Sequence, residues 1–522
     1  MERILVEDQT MTHSSAKNTD VLIVGAGPTG LVLALWLTRL GVRVRIVDKT
    51  AEPGTTSRAL AVQARTLEFY SQIGLAETVV QRGRKTIAAN LWVAGKRAAH
   101  AVLGEMGAGL SPFPYALIFP QDEHERLLVE RLLEAGVQVE RRTELTAFED
   151  IGSRVVAHLQ SLDGEQETCE AAYIAGCDGA HSLVRQSLQI GFAGGIYNHL
   201  FYVADVQASG ATMNGELHIA LDSSDFLVVF PLKAQGQARL IGTVLQQAEP
   251  QHDLSWDDVN KRVLAWISID VQRVNWFSTY RVHHRVAAHF SQGRAFLLGD
   301  AAHIHSPVGG QGMNTGIGDA VNLAWKLAAV VRGRADASLL DSYEPERIAF
   351  ARRLVATTDR AFTAVTSSGT VPRLIRLHLV PLLLAPMYSL QAARRFIFRT
   401  VSQTAVNYRG SSLSQGRAGT VHGGDRLPWV KFEDSDNFAP LTSLDWQVHV
   451  YGEAKAELET ACQNLKLPLH VFPWSAAVQR SGLRRNAVYL VRPDGYVALA
   501  DAEGGAIAVL SYLKERQLTS WT

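Results

Sequence analysis

The pattern of apolar and polar positions near the amino end predicts an α/β unit. Residues 21–24 are all apolar, which is typical of a buried parallel strand, and an apolar helix is predicted over residues 31–40. A second apolar strand is predicted over residues 42–47. The order of strand, helix and strand indicates the first βαβ unit of a doubly wound α/β domain.

The pattern changes in the middle of the chain. Helices are predicted at residues 65–73 and 123–135, and a short strand at residues 115–119. Alternating apolar positions then predict four antiparallel strands, at residues 201–206, 216–221, 226–232 and 238–244. Residues 295–298 predict another buried strand, followed by a glycine-rich loop and a helix over about residues 318–331. We therefore expect a discontinuous α/β domain with an inserted antiparallel sheet.

The carboxyl-terminal part has a third pattern. Residues 341–404 are predicted to be helical, and a run of Gly and Ser at residues 410–424 predicts a domain boundary. The last hundred residues alternate strands with helices, which predicts a small α/β domain. The expected strands and helices lie at residues 447–450, 454–465, 469–472, 487–491, 496–500 and 507–514.

Size and composition limit the classes of function. A chain of 522 residues is expected to contain about three domains. The 51 basic and 51 acidic residues cancel, so the sequence predicts no binding to nucleic acid and no stable insertion into a membrane. The two apolar runs fit this view, because residues 21–38 are interrupted by glycines and a proline, and residues 379–393 are shorter than the roughly 20 residues of a membrane span. Three cysteines without a CxxC pair favour the cytoplasm.

A glycine motif connects the first predicted strand and helix. Gly25 permits a tight turn, Gly27 lets the backbone approach a pyrophosphate, and Gly30 lets the helix pack against the strand. Asp48 lies 18 residues after Gly30, at the end of the next strand, where an acid binds the ribose of adenosine. A glycine-rich turn without a ligand would explain the glycines alone. Because strand, glycines, helix and acid agree, the segment predicts a dinucleotide site.

Two further blocks indicate which dinucleotide is bound. The first is Asp178-Gly179 with Arg185 downstream, and the second runs from Asp300 to the sequence Gly-Gly-Gln-Gly-Met-Asn at residues 309–314. Asp300 follows a predicted strand, at the sheet edge where doubly wound folds bind ligands, so its carboxylate can accept ribityl hydroxyls. The glycines keep side chains away from a flat ring and direct N–H groups and a helix N-terminus toward it.

These blocks, in this order, strongly resemble the FAD-dependent aromatic hydroxylases, the single-component class A flavoprotein monooxygenases. The resemblance covers residues 21 to about 352, including the element DSYEPER at residues 341–347. The long carboxyl-terminal extension is similar to that of the phenol hydroxylase and pentachlorophenol monooxygenase branch and of the hydroxylases of aromatic polyketides. The resemblance implies a Rossmann-like FAD-binding domain of the GR2 type, an inserted antiparallel-sheet substrate domain and a C-terminal thioredoxin-like domain.

The domain boundaries follow from the resemblance and from the patterns above. The sequence LVRPDGYV at residues 490–497 belongs to the thioredoxin-like part, in which Cys462 has no partner for dithiol redox chemistry. Whether the chain forms a homodimer stays open. The expected parts are a flexible tail (1–19), the FAD-binding domain (20–190 and 285–360), the substrate sheet (191–284 with part of 85–115), a helical connection (361–410) and the thioredoxin-like domain (411–522).

The resemblance also assigns residues to the cofactor. Gly25, Gly27, Gly30 and Asp48 would hold the ADP half of FAD. Arg58 would lie near the flavin and phosphates, and Gln121 would contact the ribityl chain. Asp178 and Arg185 would serve FAD and a passing nicotinamide. The expected cofactor residues are Gly25, Gly27, Pro28, Thr29, Gly30, Asp48, Lys49, Arg58, Gln121, Asp178, Gly179, Arg185, Asp300, Pro307, Gly309, Gly310, Gln311, Gly312, Met313 and Asn314.

The sequence contains one dinucleotide fingerprint only, so NADH or NADPH is expected to bind transiently, reduce a mobile flavin and leave. Reduced flavin and O2 would form a C4a-hydroperoxide, which hydroxylates an electron-rich aromatic ring in a dry pocket. His303 and His305 lack the further ligands of a metal site, so we interpret them as loop residues near FAD. No metal is expected.

The base that would deprotonate a phenol is not identified by the sequence. Arg58, Pro307 and Tyr202 are the candidates for catalysis, and Asp205 and His218 also lie on predicted strands of the sheet. For each of these strand residues, an ordinary sheet or rim position is favoured over a catalytic role. Two alternatives stay open, because a fold does not fix a reaction: Baeyer–Villiger or epoxidising oxygenation of an aromatic polyketide, and an FAD-binding protein that is not an oxygenase.

Overall fold

The computed structural model describes residues 17–54, 59–221, 226–244, 254–259, 261–306, 308–366 and 390–518. Arg58, Pro307 and most of the apolar run 379–393 lie outside these residues. The predicted flexible tail is too long at its carboxyl end, because Lys17 already pairs with Cys169 in the first sheet.

The described helices and strands are numbered in chain order. The strands are β1 (Lys17–Val24), β2 (Val44–Asp48), β3 (Ala61–Val62), β4 (Arg84–Lys85), β5 (Ala88–Val93), β6 (Lys96–Val102), β7 (Leu117–Ile118), β8 (Val139–Arg141), β9 (Thr143–Asp150), β10 (Val155–Ser161), β11 (Gln166–Gly176), β12 (Phe192–Ser209), β13 (Leu217–Leu221), β14 (Phe226–Pro231), β15 (Gln237–Val244), β16 (Asp270–Ala287), β17 (Ser291–Gln292), β18 (Ala295–Leu297), β19 (His303–Ile304), β20 (Gln415–Ala418), β21 (Val421–His422), β22 (Gln447–Tyr451), β23 (Leu469–Phe472), β24 (Val488–Val491) and β25 (Val497–Asp501). The helices are α1 (Pro28–Arg39), α2 (Ala64–Gln72), α3 (Ala76–Arg82), α4 (Gln121–Glu134), α5 (Leu183–Ser187), α6 (Arg262–Trp266), α7 (Gly312–Val331), α8 (Tyr343–Thr366), α9 (Gln391–Val401), α10 (Ala456–Leu465), α11 (Ala476–Arg480) and α12 (Ala506–Glu515).

The first sheet has the strand order β17-β18-β11-β1-β2-β8, and β10 and β9 extend it from β11. β1 lies in parallel between β11 and β2, and β18 is parallel to β11 on its other side. The central strands are apolar because helices cover them, and α1 packs against both α7 and α4. The predicted α/β unit is confirmed, with the carboxyl ends of β1, β2, β11 and β18 at one edge of the sheet.

The second sheet has the order β19-β16-β12-β15-β14-β13-β5-β6. The four segments predicted between residues 201 and 244 are strands of this sheet. The sheet is not entirely antiparallel as predicted, because β13 pairs in parallel with β5. The long strand β16 was missed, because most of its residues are only half-buried and its sequence carries polar residues on both faces. Strands with two polar faces lack the alternation that sequence patterns detect.

The third sheet has the order β21-β20-β25-β24-β22-β23. The boundary predicted at residues 410–424 is wrong in part, because β20 and β21 lie inside it. Gly416 has φ +76°, and a Cβ there would lie 2.3 Å from the Ala500 carbonyl oxygen. Gly416 therefore permits the pairing of β20 with β25 rather than a linker.

Two helical predictions also need correction. Helix α7 begins at Gly312, six residues before its predicted start, because the predicted glycine-rich loop includes Gly312 and Gly316. The predicted helical region at residues 341–404 contains α8 and α9, and residues 367–389 lie outside the described part. Within the part of the chain that the structure describes, no helix combines the length and apolar character that membrane crossing requires.

Candidate functional site

The turn after β1 shows three different uses of glycine. Gly25 has φ +103°, and a Cβ there would lie 2.3 Å from the Cys177 carbonyl oxygen. A Cβ at Gly30 would lie 2.0 Å from the carbonyl oxygen of Gly25. At Gly27, by contrast, no described atom lies within 4 Å of the Cβ position. Gly25 and Gly30 are therefore needed for packing, whereas Gly27 faces open space.

Helix α1 starts directly at this open space. Gly27 is its N-cap residue and Pro28 its first residue, and no described side chain caps the first turn. Uncapped N–H groups at a helix N-terminus are a binding site for anions, because they combine free donors with the positive end of the helix dipole. The arrangement is suited to a pyrophosphate.

Asp48 lies at the end of β2, beside the glycine turn. Its carboxylate accepts hydrogen bonds from Ala26 N at 2.6 Å and from Thr50 N at 2.8 Å, which fix its orientation. Arg141 is its partner residue on β8, with Nη1 3.7 Å from Asp48 Oδ2. The Nη2 of Arg141 is buried and has no hydrogen-bond partner among the described residues. Lys49 is exposed.

Gln121 begins α4 and is held by neighbours rather than directed into solvent. Its Nε2 donates to Glu125 Oε1 at 2.8 Å, and its Oε1 accepts from Ala59 N at 3.4 Å. Glu125 is buried, which raises its pKa, and it also accepts from Gly54 N at 3.1 Å. Gln121 and Glu125 therefore anchor the two ends of the segment that contains Arg58, on which the structure gives no information.

The second block forms a turn after β11. Asp178 Oδ2 accepts from Val184 N at 3.1 Å, and burial raises the pKa of this carboxyl group. Its Oδ1 is buried and has no hydrogen-bond partner in the described part of the chain. Gly179 has φ +78°, and no described atom lies within 4 Å of its Cβ position. The turn therefore combines an unpartnered buried acceptor with an uncovered backbone position at Gly179.

Arg185 has a different environment from the one expected for contact with a nicotinamide. Its guanidinium donates to the carbonyl oxygens of Ala301 and Ala180, each at 2.8 Å, and lies 3.9 Å from the ring centroid of Phe192. It is only 6% exposed. Arg185 therefore joins the second block to the turn at Gly299–Ala301.

The third block places Asp300 as the sequence predicts. Strand β18 ends at Leu297, and Asp300 is exposed in the 3-10 turn Gly299–Ala301 at the carboxyl edge of the sheet. A Cβ at Gly299 would lie 2.7 Å from Thr29 Oγ1, and one at Gly316 only 2.3 Å from the same atom. The Thr29 side chain thus fills the space between this turn and α7. The first and third blocks therefore meet at the start of α1.

The glycine-rich loop is held against α2. Asn314 is 1% exposed, accepts from Gln63 N and Thr66 Oγ1 at 2.9 and 2.8 Å, and donates to the carbonyl oxygens of Ala61 and Gly310 at 2.9 and 2.7 Å. All four of its hydrogen-bonding positions are therefore used within the protein. The resemblance implied that Asn314 contacts the flavin. In the structure, its four hydrogen bonds instead hold the backbone of the glycine-rich loop against α2.

The other residues of the same loop are of two kinds. Gln311 and Met313 contact the rest of the protein, whereas the glycines leave the backbone uncovered by side chains of their own. Gln311 Nε2 donates to the carbonyl oxygens of Gly309 and Val401 at 3.0 and 2.8 Å. Gly309 and Gly310 have φ +76° and +63°, which only glycine adopts without strain. Met313 packs against the main core. At Gly312 the nearest described atoms to a Cβ are those of His305, at 3.8 Å.

His305 carries an unsatisfied acceptor beside this loop. Its Nδ1 lies 2.9 Å from the Ser306 carbonyl oxygen, which can only accept, so Nδ1 holds the hydrogen and Nε2 is left as an acceptor. Nε2 and Ser306 Oγ are both buried without a partner among the described residues. Burial lowers the pKa of His305 to about 4. The described residues contain no group of three or more His, Cys, Asp or Glu side chains that could hold a metal ion.

A buried ion pair under the Asp300 turn was not found by sequence reasoning. Asp319 Oδ2 accepts from Gly299 N at 3.0 Å and lies 2.7 Å from His303 Nε2, while Oδ1 accepts from Arg347 Nε at 2.6 Å. Burial alone would raise the pKa of Asp319, but Arg347 and His303 outweigh it and lower the pKa. The only sequence signal was the position of Arg347 in the DSYEPER element.

The sheet candidates for a catalytic base are all engaged. Tyr202 is 3% exposed and packs against Phe277 and Trp256 in the core between the sheet and α6. Asp205 forms a bidentate ion pair with Arg239. We therefore place Tyr202 in the sheet core rather than in the site.

His218, the third candidate on the sheet, also has its polar atoms bonded within the protein. Its Nδ1 accepts from Trp92 Nε1 and its Nε2 donates to Asn214 Oδ1, each at 3.0 Å. Both ring nitrogens are therefore used, and burial lowers the pKa of His218. A neutral imidazole with no free nitrogen cannot act as a base for a bound ligand.

The open space at Gly27 and the unpartnered polar atoms of Arg141 and Asp178 follow or end strands of the first sheet, and the unpartnered Nε2 of His305 lies on a residue beside Gly312 of the glycine-rich loop. Buried polar atoms without partners are costly, so these atoms indicate a polar ligand. The donors and acceptors fit a group with phosphates, ribose hydroxyls and a polar ring, as FAD has.

Comparisons with known proteins agree with this geometry. A family described as "FAD binding domain" matches residues 18–358. The chain is 32% identical to a 6-methylpretetramide 4-monooxygenase from Streptomyces rimosus over 96% of this chain and 94% of that protein. It is 31% identical to a dialkyldecalin synthase from Streptomyces rugosporus over 94% and 97%.

A solved structure extends the likeness to the fold. The anhydrotetracycline hydroxylase OxyS from Streptomyces rimosus superposes with a TM-score of 0.76 at 28% identity, covering 95% of this chain and 98% of that one. The chain belongs to the FAD binding domain family and is an FAD-dependent monooxygenase of the aromatic hydroxylase type.

Proposed function

We propose that the protein hydroxylates a phenolic or polycyclic aromatic substrate, with NADH or NADPH as electron donor and O2 as co-substrate. The observation that carries this proposal is the meeting of the glycine turn, the Asp300 turn and helix α7 around Thr29. The names of the relatives support the substrate class, since they refer to oxygenation of 6-methylpretetramide and hydroxylation of anhydrotetracycline.

The proposed placement of FAD follows the open positions. Gly27 and the start of α1 would hold the pyrophosphate, and Asp48 with Arg141 would hold the adenosine ribose. Asp300 would accept hydrogen bonds from the ribityl hydroxyls, and the backbone of Gly309 to Gly312 would hold the flavin ring. FAD supplies the redox chemistry when bound, namely acceptance of two electrons from the nicotinamide and activation of O2.

The protein's own contribution is to orient the aromatic substrate and exclude water. We propose that the second sheet forms one wall of the substrate site through its aromatic face. By alternation along β12, Phe201 lies on the face opposite Tyr202, and it clusters with Val282, Tyr197, Phe226 and Tyr280. The last three are only partly buried and can stack on an aromatic ring.

The carboxyl-terminal unit has no redox role in this proposal. We propose that the sheet β20 to β25 with helices α10 and α12 is thioredoxin-like. Cys169, Cys177 and Cys462 are all free thiols. Burial raises the pKa of Cys462 to about 11, so this thiol is not activated as a thiolate.

The proposal is tested by rapid-mixing measurement of flavin reduction in the holoprotein. NADH and NADPH are each mixed with enzyme, alone and with a panel of phenols and polycyclic phenols. An aromatic substrate of the right shape is expected to accelerate reduction. Equal rates with and without every aromatic compound, with all consumed oxygen recovered as peroxide, would favour an oxidase or a protein that is not an oxygenase.

A second candidate function comes from the dialkyldecalin synthase relative, whose name refers to no oxygenation although it matches almost its whole length. A function of that class predicts stable FAD binding without oxygen uptake. Baeyer–Villiger oxygenation is distinguished by the product, because it inserts oxygen next to a carbonyl group and gives an ester or lactone rather than a phenol.

A further inference from the structure

One turn of the carboxyl-terminal sheet is buried in the FAD-binding part of the molecule. It connects β24 to β25 and contains Arg492, Pro493, Asp494, Gly495 and Tyr496. Arg492, Asp494 and Tyr496 are at most 2% exposed. A turn between two strands of a surface sheet is ordinarily solvated, so its complete burial indicates a specific contact.

The first contact leads from this turn to α2. The carbonyl oxygens of Pro493 and Asp494 accept hydrogen bonds from Gln72 Nε2 at 3.1 Å and from Arg65 Nη2 at 2.7 Å. Arg65 also lies 4.8 Å from the ring centroid of Tyr496. The turn therefore holds α2 at both its first and its last turn.

Buried charges fix this contact. Glu68 is 2% exposed and accepts from Arg65 Nη1 at 2.9 Å, from Arg426 Nε at 2.8 Å and from Ser111 Oγ at 2.6 Å. Burial alone would raise the pKa of Glu68, but the arginines outweigh it and lower the pKa. Displacement of one partner leaves a buried charge unpaired, which is strongly unfavourable. The position of α2 is therefore tightly specified.

The same helix controls the glycine-rich loop. Gln63 and Thr66, at the start of α2, donate to Asn314, and Gln63 Nε2 donates to the Gly309 carbonyl oxygen at 3.0 Å. A shift of α2 would therefore move the backbone at residues 309–314. This is the first route from the carboxyl-terminal turn to the site.

A second route passes through α8. Arg492 binds Glu346 with two hydrogen bonds, of 2.7 and 3.0 Å, and Lys326 Nζ donates to the same carboxylate at 2.9 Å. All three side chains are completely buried. The next residue, Arg347, accounts for the connection to the site.

Arg347 lies between the carboxyl-terminal unit and the Asp300 turn. Its Nη1 donates to the Tyr408 hydroxyl at 2.8 Å, and the Tyr408 ring lies 4.4 Å from that of Tyr496. Its Nε donates to Asp319, which in turn holds Gly299 N. The second route therefore ends at Gly299, whereas the first route ends at Gly309 and Asn314.

We propose that the turn Arg492–Tyr496 is a positioning element for FAD, which sets both ends of the segment from Gly299 to Asn314. The inference rests on the placement of FAD proposed above, although not on the substrate. It predicts that the contact controls FAD affinity and the environment of the flavin, in addition to the stability of the fold. An interface that merely joined two units would not require paired charges, since apolar residues serve as well.

The experiment uses two mild variants, because replacing Arg492 or Glu346 leaves a buried charge unpaired and strongly destabilises the fold. Tyr408→Phe removes one hydrogen bond from the second route, and Gln72→Leu removes one from the first. Tyr489→Phe is the matched control, since it removes a buried tyrosine hydroxyl that bonds only to Arg484 and Ala418 of the carboxyl-terminal unit. The measurements are FAD affinity, the visible circular dichroism of bound flavin and the free energy of unfolding.

Each route variant is expected to weaken FAD about fivefold, and the double variant about 25-fold, with altered flavin dichroism. Tyr489→Phe should bind FAD within about twofold of wild type, whatever its loss of stability. The inference is overturned if Tyr408→Phe and Gln72→Leu bind FAD as the control does. Asp300→Ala separates the two proposals: if it also leaves FAD affinity unchanged, the placement of FAD is wrong, whereas a loss confined to Asp300→Ala contradicts the positioning role alone.

Discussion

At the scale of single residues, the motif glycines could be predicted, whereas their partners could not. The spacing of glycines indicates where a turn has no room for a side chain or must leave the backbone open. Gly25 and Gly30 have no room for a Cβ, and Gly27 faces open space. Arg141 and Asp319 were missed, because their partners are more than 20 residues away or belong to another motif. Arg185 and Asn314 were expected at the cofactor, but their polar atoms bond to the protein, which no motif reveals.

Gly27 offers the cleanest test of the phosphate turn. Its backbone has φ −75° and ψ 179°, which any residue can adopt, and its Cβ position is open. Gly27→Val should therefore fold normally but lose FAD, because a branched side chain occupies the space of the pyrophosphate. Absorbance of the purified protein near 450 nm, on the order of that expected for full occupancy, would place the phosphates elsewhere. Gly410→Val, at another open glycine, is the control.

Asp300 tests the flavin end of the site. If its carboxylate accepts charge-assisted hydrogen bonds from the ribityl chain, Asp300→Ala should weaken FAD by about 2 kcal/mol, more than a neutral hydrogen bond contributes. Asp434→Ala changes an exposed aspartate of the carboxyl-terminal unit and should leave FAD affinity unchanged. Titration of apoprotein with FAD measures both. An unchanged dissociation constant for Asp300→Ala removes this residue from the site.

At the scale of elements, apolar strands and helices could be predicted and polar ones could not. Residues 21–24 of β1 and the three residues of β18 are buried, and both segments are continuously apolar. The start of α7 was misplaced because its glycines resemble a loop, although one of them, Gly316, permits close packing against Thr29. Strand β16 has polar residues on both faces and gave no signal. Packing between elements, rather than local preference, decides these cases.

The contact between α1 and α7 gives a prediction at this scale. A Cβ at Gly316 would lie 2.3 Å from Thr29 Oγ1 and 3.1 Å from Gly299 Cα. Gly316→Ala should lower the free energy of unfolding by about 1–3 kcal/mol, because the elements must separate. Thr29→Ala in the same chain removes the closest atom and should restore part of the loss. Denaturant unfolding of both single variants and the double variant measures the coupling, and simple additivity would contradict the contact.

At the scale of the whole molecule, buried polar groups join the FAD-binding part to the carboxyl-terminal unit, and burial makes stability depend on pH. Burial lowers the pKa of His305 to about 4 and that of His124 and His449 to about 3, from 6.5. Between these values and pH 6.5, the unfolded chain binds protons that the folded chain does not. Stability is therefore complete above about pH 6.5 and falls as the pH decreases.

This pH dependence can be assigned to single histidines. Each imidazole contributes a slope of at most about 1.4 kcal/mol per pH unit in that range. His449 lies in β22, in a different sheet from the FAD residues, so His449→Gln should flatten the slope between pH 6 and pH 4 without affecting FAD. The measurement is the free energy of unfolding in denaturant at several pH values. An identical slope in the variant would show that His449 is protonated in the folded state.

The central claim is that the protein transfers one oxygen atom from O2 to an aromatic substrate, and isotope labelling tests it most directly. Holoprotein is supplied with NAD(P)H, 18O2 and the phenol that most accelerates flavin reduction, and the product is analysed by mass spectrometry. We predict a hydroxylated product carrying one 18O atom, with the second atom recovered in water. A product without label, or recovery of all the oxygen as hydrogen peroxide, would contradict the claim.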